Sequence, residues 1–162
     1  MALSNFERMI QMAEDVFAYR TDTNQLSVNE QVIEKLQQLH PATMSEYNEG
    51  NGPVVWILIF PTTTDLMNQF LEEKISEKEL FELTPINTSY DALYLCSAIV
   101  LPEYRRKGIA KKLTLDAIDK IRKGHPIKNL FVWPFSKEGE MLADKIAIIT
   151  GLPIQKRNQA QH

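Results

Sequence analysis

Leu93-Tyr-Leu-Cys-Ser-Ala-Ile-Val-Leu-Pro102, running on into Glu103-Tyr-Arg-Arg-Lys-Gly-Ile-Ala-Lys-Lys-Leu113, is the stretch on which the reading of this chain turns. Its first half is rich in aliphatic residues and closed by a proline, which predicts a strand from about Leu93 to Leu101. A basic turn follows. A helix is then expected from about Lys107 to Lys123, burying Ile109, Leu113, Ala117, Ile118 and Ile121, with Gly124 as its C-terminal cap. The first backbone N–H groups of a helix have no intrahelical partners, and the helix dipole adds partial positive charge there. Gly108 and the small Ala110 let a ligand come close to that backbone. Arg105, Arg106, Lys107, Lys111 and Lys112 add charge around it. The sum is an anion site suited to a pyrophosphate. For the charge run alone, a solvated basic turn is an equally good account; the order of residues decides between them.

Working outward, residues 54–60, VVWILIF, are β-branched and aromatic without polar interruption, as in a strand buried on both faces. Helices are expected at 4–19 with Ser4 as N-cap, at about Val28 to Leu39, at Asp65 to Lys74 behind Thr64, and at Glu77 to Leu83 behind Ser76. Ser76 and Glu79 have capping-box spacing. Residues 46–53 are dense in turn formers and read as a loop. A strand at Asn129 to Trp133, a helix at Lys137 to Ile149 ended by Gly151, and a short strand at Leu152 to Lys156 complete the reading. Strand and helix alternate after residue 90, which argues an α/β layer structure.

The 162 residues fit one domain, 1–162, with 44% hydrophobic and 24% charged residues as in a globular protein. A net charge of -3 argues against a general nucleic-acid binder. The single cysteine, Cys96, allows no intrachain disulfide, and no Cys/His spacing resembles a metal site. The longest apolar run, Val54 to Pro61, is too short to span a bilayer, and the first residues lack signal-peptide character. A cytoplasmic protein without membrane or nucleic-acid partners is the expectation.

Val100-Leu-Pro-Glu-Tyr-Arg105-Arg-Lys-Gly-Ile-Ala110 closely resembles the signature Val-x-Pro-x-Tyr-Arg-x-Lys-Gly-(Ile/Val)-(Gly/Ala) of the Gcn5-related N-acetyltransferase (GNAT) family. Arg105, Gly108 and Ala110 match its core. The close match spans residues 93–112, and the looser resemblance reaches from 90 to 152, behind a helical N-terminal part at 1–45. What the resemblance implies is an α/β fold with a mixed central sheet flanked by helices, and acetyl-CoA as co-substrate. Residues 106–111, that is Arg106, Lys107, Gly108, Ile109, Ala110 and Lys111, would wrap the pyrophosphate, with Arg105 beside them. The backbone of Ala98, Ile99 and Val100 would pair with the pantetheine arm like an added strand. That strand is expected to splay from the one near Asn129 to Trp133, with the acetyl group in the gap and a backbone N–H polarising its carbonyl. Ser136 falls near a family position that contacts the pantetheine arm; Trp133-Pro134-Phe135 would lie beside the gap.

The sequence departs from the family in four ways. It begins with a long amphipathic helix instead of a strand. A helical pair replaces the usual hairpin before the cofactor strand, yet Val54–Phe60 and Leu93–Leu101 are still expected to run antiparallel. Only residues 152–162 follow the last helix, so the sheet's C-terminal end looks short. And the family's catalytic groups are missing: Ala147 stands where a tyrosine acid is common, and Tyr94 where histone-type members carry a glutamate base. Tyr94 and Cys96, which alternate onto one strand face with Ala98, are the candidates left, each also readable as core packing. Glu46, Glu49 and Asp91 are weaker candidates for the substrate mouth, and His40 and His125 are not expected to be bases. The expected activity is acetyl transfer from acetyl-CoA to a primary amine of unknown kind; a non-catalytic acyl-CoA-binding module is the alternative. The bare strand edge and the apolar stripe Phe6, Met9, Ile10, Ala13, Phe17 lead to an expected homodimer.

Overall fold

The computed structural model describes residues 3–19 and 29–158. The apolar run at 54–60 sits within the longest strand, β2 (Pro53–Thr62), nine of whose ten positions are buried. β2 lies between two antiparallel neighbours, β1 (Met44–Asn48) and β3 (Ala92–Val100). β3 then pairs in parallel with β4 (Asn129–Val132), and β4 in parallel with β5 (Ile154–Lys156). The result is the expected mixed sheet, in the order β1-β2-β3-β4-β5. One element is a correction. Part of the stretch read as a loop at 46–53 is β1, and the true turn is residues 49–52, with Gly50 and Gly52 at φ of 75° and 111°. β1 is an edge strand whose residues are almost all exposed, so it lacks the apolar alternation by which a strand is recognised.

Helices form close to the expected bounds. In α1 (Asn5–Tyr19) the Ser4 hydroxyl accepts the Glu7 N–H at 3.1 Å. α2 (Glu30–Leu39) is capped by Asn29, so the expected start at Val28 lies outside the described residues. α3 (Thr64–Leu71) is capped by Thr63 rather than Thr64, and stops short of Lys74 because the chain turns left-handed at Glu73, φ 62°. α4 (Glu77–Leu83) carries the complete capping box of Ser76 and Glu79. α5 (Ile109–Arg122) and α6 (Lys137–Thr150) follow β3 and β4. Gly151 ends α6 in a left-handed cap, whereas Gly124 does not cap α5: that helix ends through right-handed Lys123, and both Gly124 and His125 N–H groups reach back to the Ile121 carbonyl.

Side-chain alternation assigns the helices to faces. Trp56 and Phe60 of β2 point the same way, and they meet Phe6 of α1 and Phe81 of α4; Phe60 also meets Tyr94, which packs on Phe70 of α3. Ile57 and Ile59 point the other way, toward Thr114 of α5 and the inner residues of α6. Right-handed crossovers from β3 to β4 and from β4 to β5 require both helices on one side. Among the described residues no helix is long and apolar enough to cross a membrane.

The apolar stripe of α1 is spent only in part on its own sheet, since Phe6 and Ile10 stay 55% and 38% exposed. Met9 is fully buried, and Phe6 packs edge-on against Trp56 at 6.0 Å; the side chains of Val16 and Phe17 lie outside the described residues. α1 is also tied to the far end of β3 by Arg8, whose guanidinium donates to both oxygens of Glu103 at 2.7 and 2.6 Å. That bidentate bond, with a backbone hydrogen bond, holds the Glu103 carboxyl down at about 2 from an ordinary 4.5. The carboxyl's folded value is depressed, so its stabilising contribution is present above about 4.5 and disappears as pH falls toward 2. Between those limits the melting temperature of Glu103→Gln should depend less steeply on pH than that of the native chain. Parallel melting curves from pH 5 to pH 2 would contradict the tether.

Candidate functional site

β3 and β4 pair only over Ala92–Leu95 and Asn129–Val132. Past that point β4 ends at Trp133-Pro134, and proline has no N–H to continue a ladder. β3 runs on to Val100 with β2 alone. On the β2 side Leu58 pairs with Ser97 but Ile59 with Leu95, so Cys96 is the extra residue of a bulge. The two strands therefore part just where β3 kinks, and the gap holds a cavity of about 110 Å³ lined by Cys96, Ser97, Ala98, Trp133, Phe135 and Ser136, among others. Trp133 and Phe135 thus form its apolar wall. Among the described residues the buried indole N–H of Trp133 has no hydrogen-bond partner, an orphan donor at the edge of a strand gap. Ser136 lines the cavity and also caps α6, its hydroxyl accepting the Gly139 N–H at 3.0 Å.

The basic turn lies beyond the end of β3. Arg106 and Gly108 both take left-handed backbone, φ 63° and 78°. A non-glycine residue in that region marks stored strain of the kind that clusters at ligand sites. Gly108 is the N-cap of α5 with no side-chain cap, and a Cβ built there would meet nothing within 4 Å. The first helical bond runs from Lys112 N–H to Gly108 C=O, and among the described residues no backbone acceptor takes the N–H groups of 106 to 111. This is an open cradle of donors with Arg106, Lys107 and Lys111 around it. Arg105 does something else as well: its Nε donates to the Val100 carbonyl at 3.1 Å, folding the turn back onto the strand end. The Lys107 ammonium sits 5.1 Å over the Tyr104 ring.

A second and larger cavity, about 670 Å³, lies between α1, α2 and strands β1 to β3. It shares Ile57 and Ser97 with the first. Ser97, next to the bulge, thus lines both spaces, and sequence reasoning did not single it out. Glu46 is on the wall of this second cavity. Asp91 and Glu49 have local duties: Asp91 Oδ1 accepts the Thr64 N–H at 2.7 Å, and Glu49 accepts the Tyr47 hydroxyl at 3.0 Å.

The two catalytic candidates part company. Cys96 lines the strand gap; Tyr94 lines neither cavity. Its ring is fully buried, 5.3 Å from Phe60, 5.2 Å from Phe70 and 4.9 Å from Phe131. Its hydroxyl donates to Glu77 Oε2 at 2.5 Å, and the Cys96 thiol lies 3.9 Å from the same oxygen. Glu77 is 1% exposed at the first turn of α4. Nothing in the sequence marked it, because a glutamate at a helix start is an ordinary surface choice. His40 and His125 are structural: His40 Nδ1 accepts the Ala42 N–H and His125 Nδ1 the Tyr90 N–H. Ala147 is a buried packing residue of α6.

Residues 76–136 match the family model described as the Acetyltransferase (GNAT) family. Among curated proteins none matches in sequence. Among solved structures, a tetramutant of the BH1408 protein from Bacillus halodurans superposes with a TM-score of 0.52 at 13% identity, over 98% of this chain and 94% of that one; it shares the fold. A NatB acetyltransferase complex bound to a bisubstrate inhibitor gives 0.49 at 16% identity, over 82% of this chain and 66% of that chain, so this chain spans about two thirds of that relative's length. An aminoglycoside acetyltransferase from an uncultured soil metagenomic sample, in complex with trehalose, gives 0.48 at 16%, over 99% and 90%.

Because the Tyr94 hydroxyl is committed to a buried carboxylate, its loss should register first as stability. Tyr94→Phe takes away a buried donor, which costs about 1–3 kcal/mol, and should lower the melting temperature clearly. Cys96→Ala, on a cavity wall, should lower it less. Thermal denaturation of both variants checks the order, and equal losses would refute the assignment.

Proposed function

We propose that this chain, whose residues 76–136 carry the acetyltransferase pattern of the GNAT family, moves an acetyl group from acetyl-CoA to a primary amine. The observation that carries the reading is the parting of β3 from β4 directly beside an open cradle of backbone donors. Arg106 to Lys111, with the left-handed turn at Gly108, would hold the diphosphate, and Arg105 would keep the turn against Val100. The edge of Ala98, Ile99 and Val100 would take the amide-bearing arm as an added strand. Ser136 and the orphan Trp133 N–H would meet polar groups of that arm in the gap; an unmet buried donor is the kind of group such a ligand satisfies. The co-substrate supplies an activated thioester. The protein's part is to align it at Ser97, where the second cavity brings the acceptor, and to exclude water between apolar walls. Cys96 would touch the reacting region, while Tyr94 acts through Glu77, keeping β3 in place behind it. Cytoplasmic residence, with Cys96 reduced, belongs to the same proposal.

The lack of an acid at Ala147 also favours a second reading, a module that binds acyl-CoA without turnover. One experiment separates the two. Acetyl-CoA at a hundredfold excess over its Kd should stabilise the chain by about 2.7 kcal/mol, about 5–10 °C in melting temperature for a chain of this size. Gly108→Glu, which puts a carboxylate into the anion cradle, should abolish that shift while the circular dichroism spectrum is retained. Thiol release on adding an amine then means catalysis, and a shift without thiol release on any amine means the binding module. No shift with acetyl-CoA or CoA ends both readings.

A homodimer is proposed on two exposed apolar features: α1 buries Met9 but leaves Phe6 and Ile10 exposed. The second is α6 beside the outer edge of β5, where Ile148 and Ile149 are 80% and 54% exposed. Light scattering should give twice the chain's 18.6 kDa, and Ile148→Lys with Ile149→Lys should halve it. A native mass of one chain would remove the idea.

A further inference from the structure

The second cavity is the larger space in this site, and its walls describe what it takes. Its volume of about 670 Å³ is that of a small-molecule pocket, which typically runs about 300–1,000 Å³. The walls are Ile10 of α1, Ile33 of α2, Leu58 and Trp56 of β2 and Ile99 of β3, with Ala13 at the helix side. Glu46 is the one charged residue among the described lining residues, and it is exposed at the rim. Its carboxylate is held in place, Oε1 accepting the Trp56 indole N–H at 2.7 Å and Oε2 the Asn48 amide at 2.8 Å. Each oxygen keeps a further lone pair for a cation at the mouth. Among the described lining residues there is no second acid, and Ser97 lines both this space and the strand gap.

We infer that the acceptor is a small primary amine with a single positive charge on an apolar body. The inference rests on the acetyl-transfer reading and names the substrate class of that same site. One rim carboxylate, held by the Trp56 indole N–H, draws in one ammonium group. A polyamine or an aminoglycoside would have to bring further charges against aliphatic walls without partners, which is costly. The apolar interior also serves the chemistry. Desolvation disfavours the ammonium form, so the amine reaches Ser97 as the neutral nucleophile. The cavity thereby does work that a dedicated base does elsewhere. The nitrogen lone pair forms the new C–N bond as the thioester C–S bond breaks, and the proton the nitrogen sheds balances the departing thiolate as CoA thiol.

The test uses the full chain with hexylamine and 2-phenylethylamine against spermidine and kanamycin, at fixed acetyl-CoA, following thiol release. The apolar monoamines should show kcat/KM at least tenfold above the polycations. Ala13→Trp, which fills the cavity from α1, should raise KM for 2-phenylethylamine about tenfold while the acetyl-CoA melting shift remains, the shift itself reporting that the variant folds. Should that variant fail to fold, Ile33→Phe serves the same purpose. Hexylamine binding is read independently of turnover as a change in tryptophan emission that Trp56→Phe removes. Preference for spermidine or kanamycin overturns the inference, as does acetylation of a peptide N-terminus with both monoamines ignored. If acetyl-CoA neither shifts melting nor releases thiol, the acetyl-transfer reading fails. The emission titration then still decides whether the cavity takes an apolar amine, and no response overturns that too.

Discussion

The site depends on one mismatch of lengths: β3 has nine residues and β4 four. A strand that outlasts its neighbour leaves backbone groups on one edge without ladder partners, and such groups must find others. Val100 already has one in Arg105; the stretch before it faces the gap. The same event aims the rest of the site. Because β3 continues past the gap, the turn at Arg105 to Gly108 and the first turn of α5 arise beyond its end. The donors of that turn and the open strand edge then belong to one continuous surface. The bulge at Cys96 adds a local twist at the point of parting, so the break in pairing and the kink in β3 coincide.

Keeping two strands apart requires something to hold each of them. β3 is held from behind by Tyr94, Glu77 and the ring cluster of Phe60, Phe70 and Phe131. The wall beyond β4 is held by the last described segment of the chain. The Arg157 guanidinium lies 4.4 Å from the Phe70 ring and 4.6 Å from the Trp133 ring, donates to the Ile75 carbonyl at 2.8 Å, and its backbone N–H reaches Val132. β5 is itself pinned to α6 by Lys156, which bridges Glu140 and Asp144. The three residues of β5 and Arg157 after them thus brace the wall of the gap.

What could be read in advance follows from how local each signal is. The basic turn before α5, the capping box at Ser76 and Glu79 and the buried β2 are written in consecutive residues or fixed spacings, and each stands where the sequence put it. β1 escaped because exposure removed its period. Gly124 misled because a glycine after a helix has a preference, not an obligation, for left-handed backbone. The parting of β3 from β4 was expected only through family resemblance; no residue pattern encodes a gap, except Pro134 at its far side. Glu77, Ser97 and Arg157 were invisible for a different reason. Their roles arise from contacts such as Tyr94 to Glu77 and Arg157 to Phe70, which join segments that only the folded topology brings together.

If the proposed acetyl transfer holds, the lack of the catalytic side chains that the resemblance implied is less of a puzzle against this geometry than against the sequence. A thiolate leaves readily, so an acid in the place of Ala147 would be the more dispensable of the two groups. A base would matter only for an amine that arrives charged. On the acceptor proposed above, Glu46 would attract the ammonium at the mouth, and the aliphatic described walls beyond it would favour loss of the proton. A buried tyrosine already bonded to a buried glutamate is, by contrast, poorly placed to exchange protons with a passing substrate, since both its partner and its surroundings hold it still. The Tyr94–Glu77 pair and the apolar cavity would therefore divide the labour: one braces β3 beside the gap, and on the proposed reading the other would control the state in which the nucleophile reaches it.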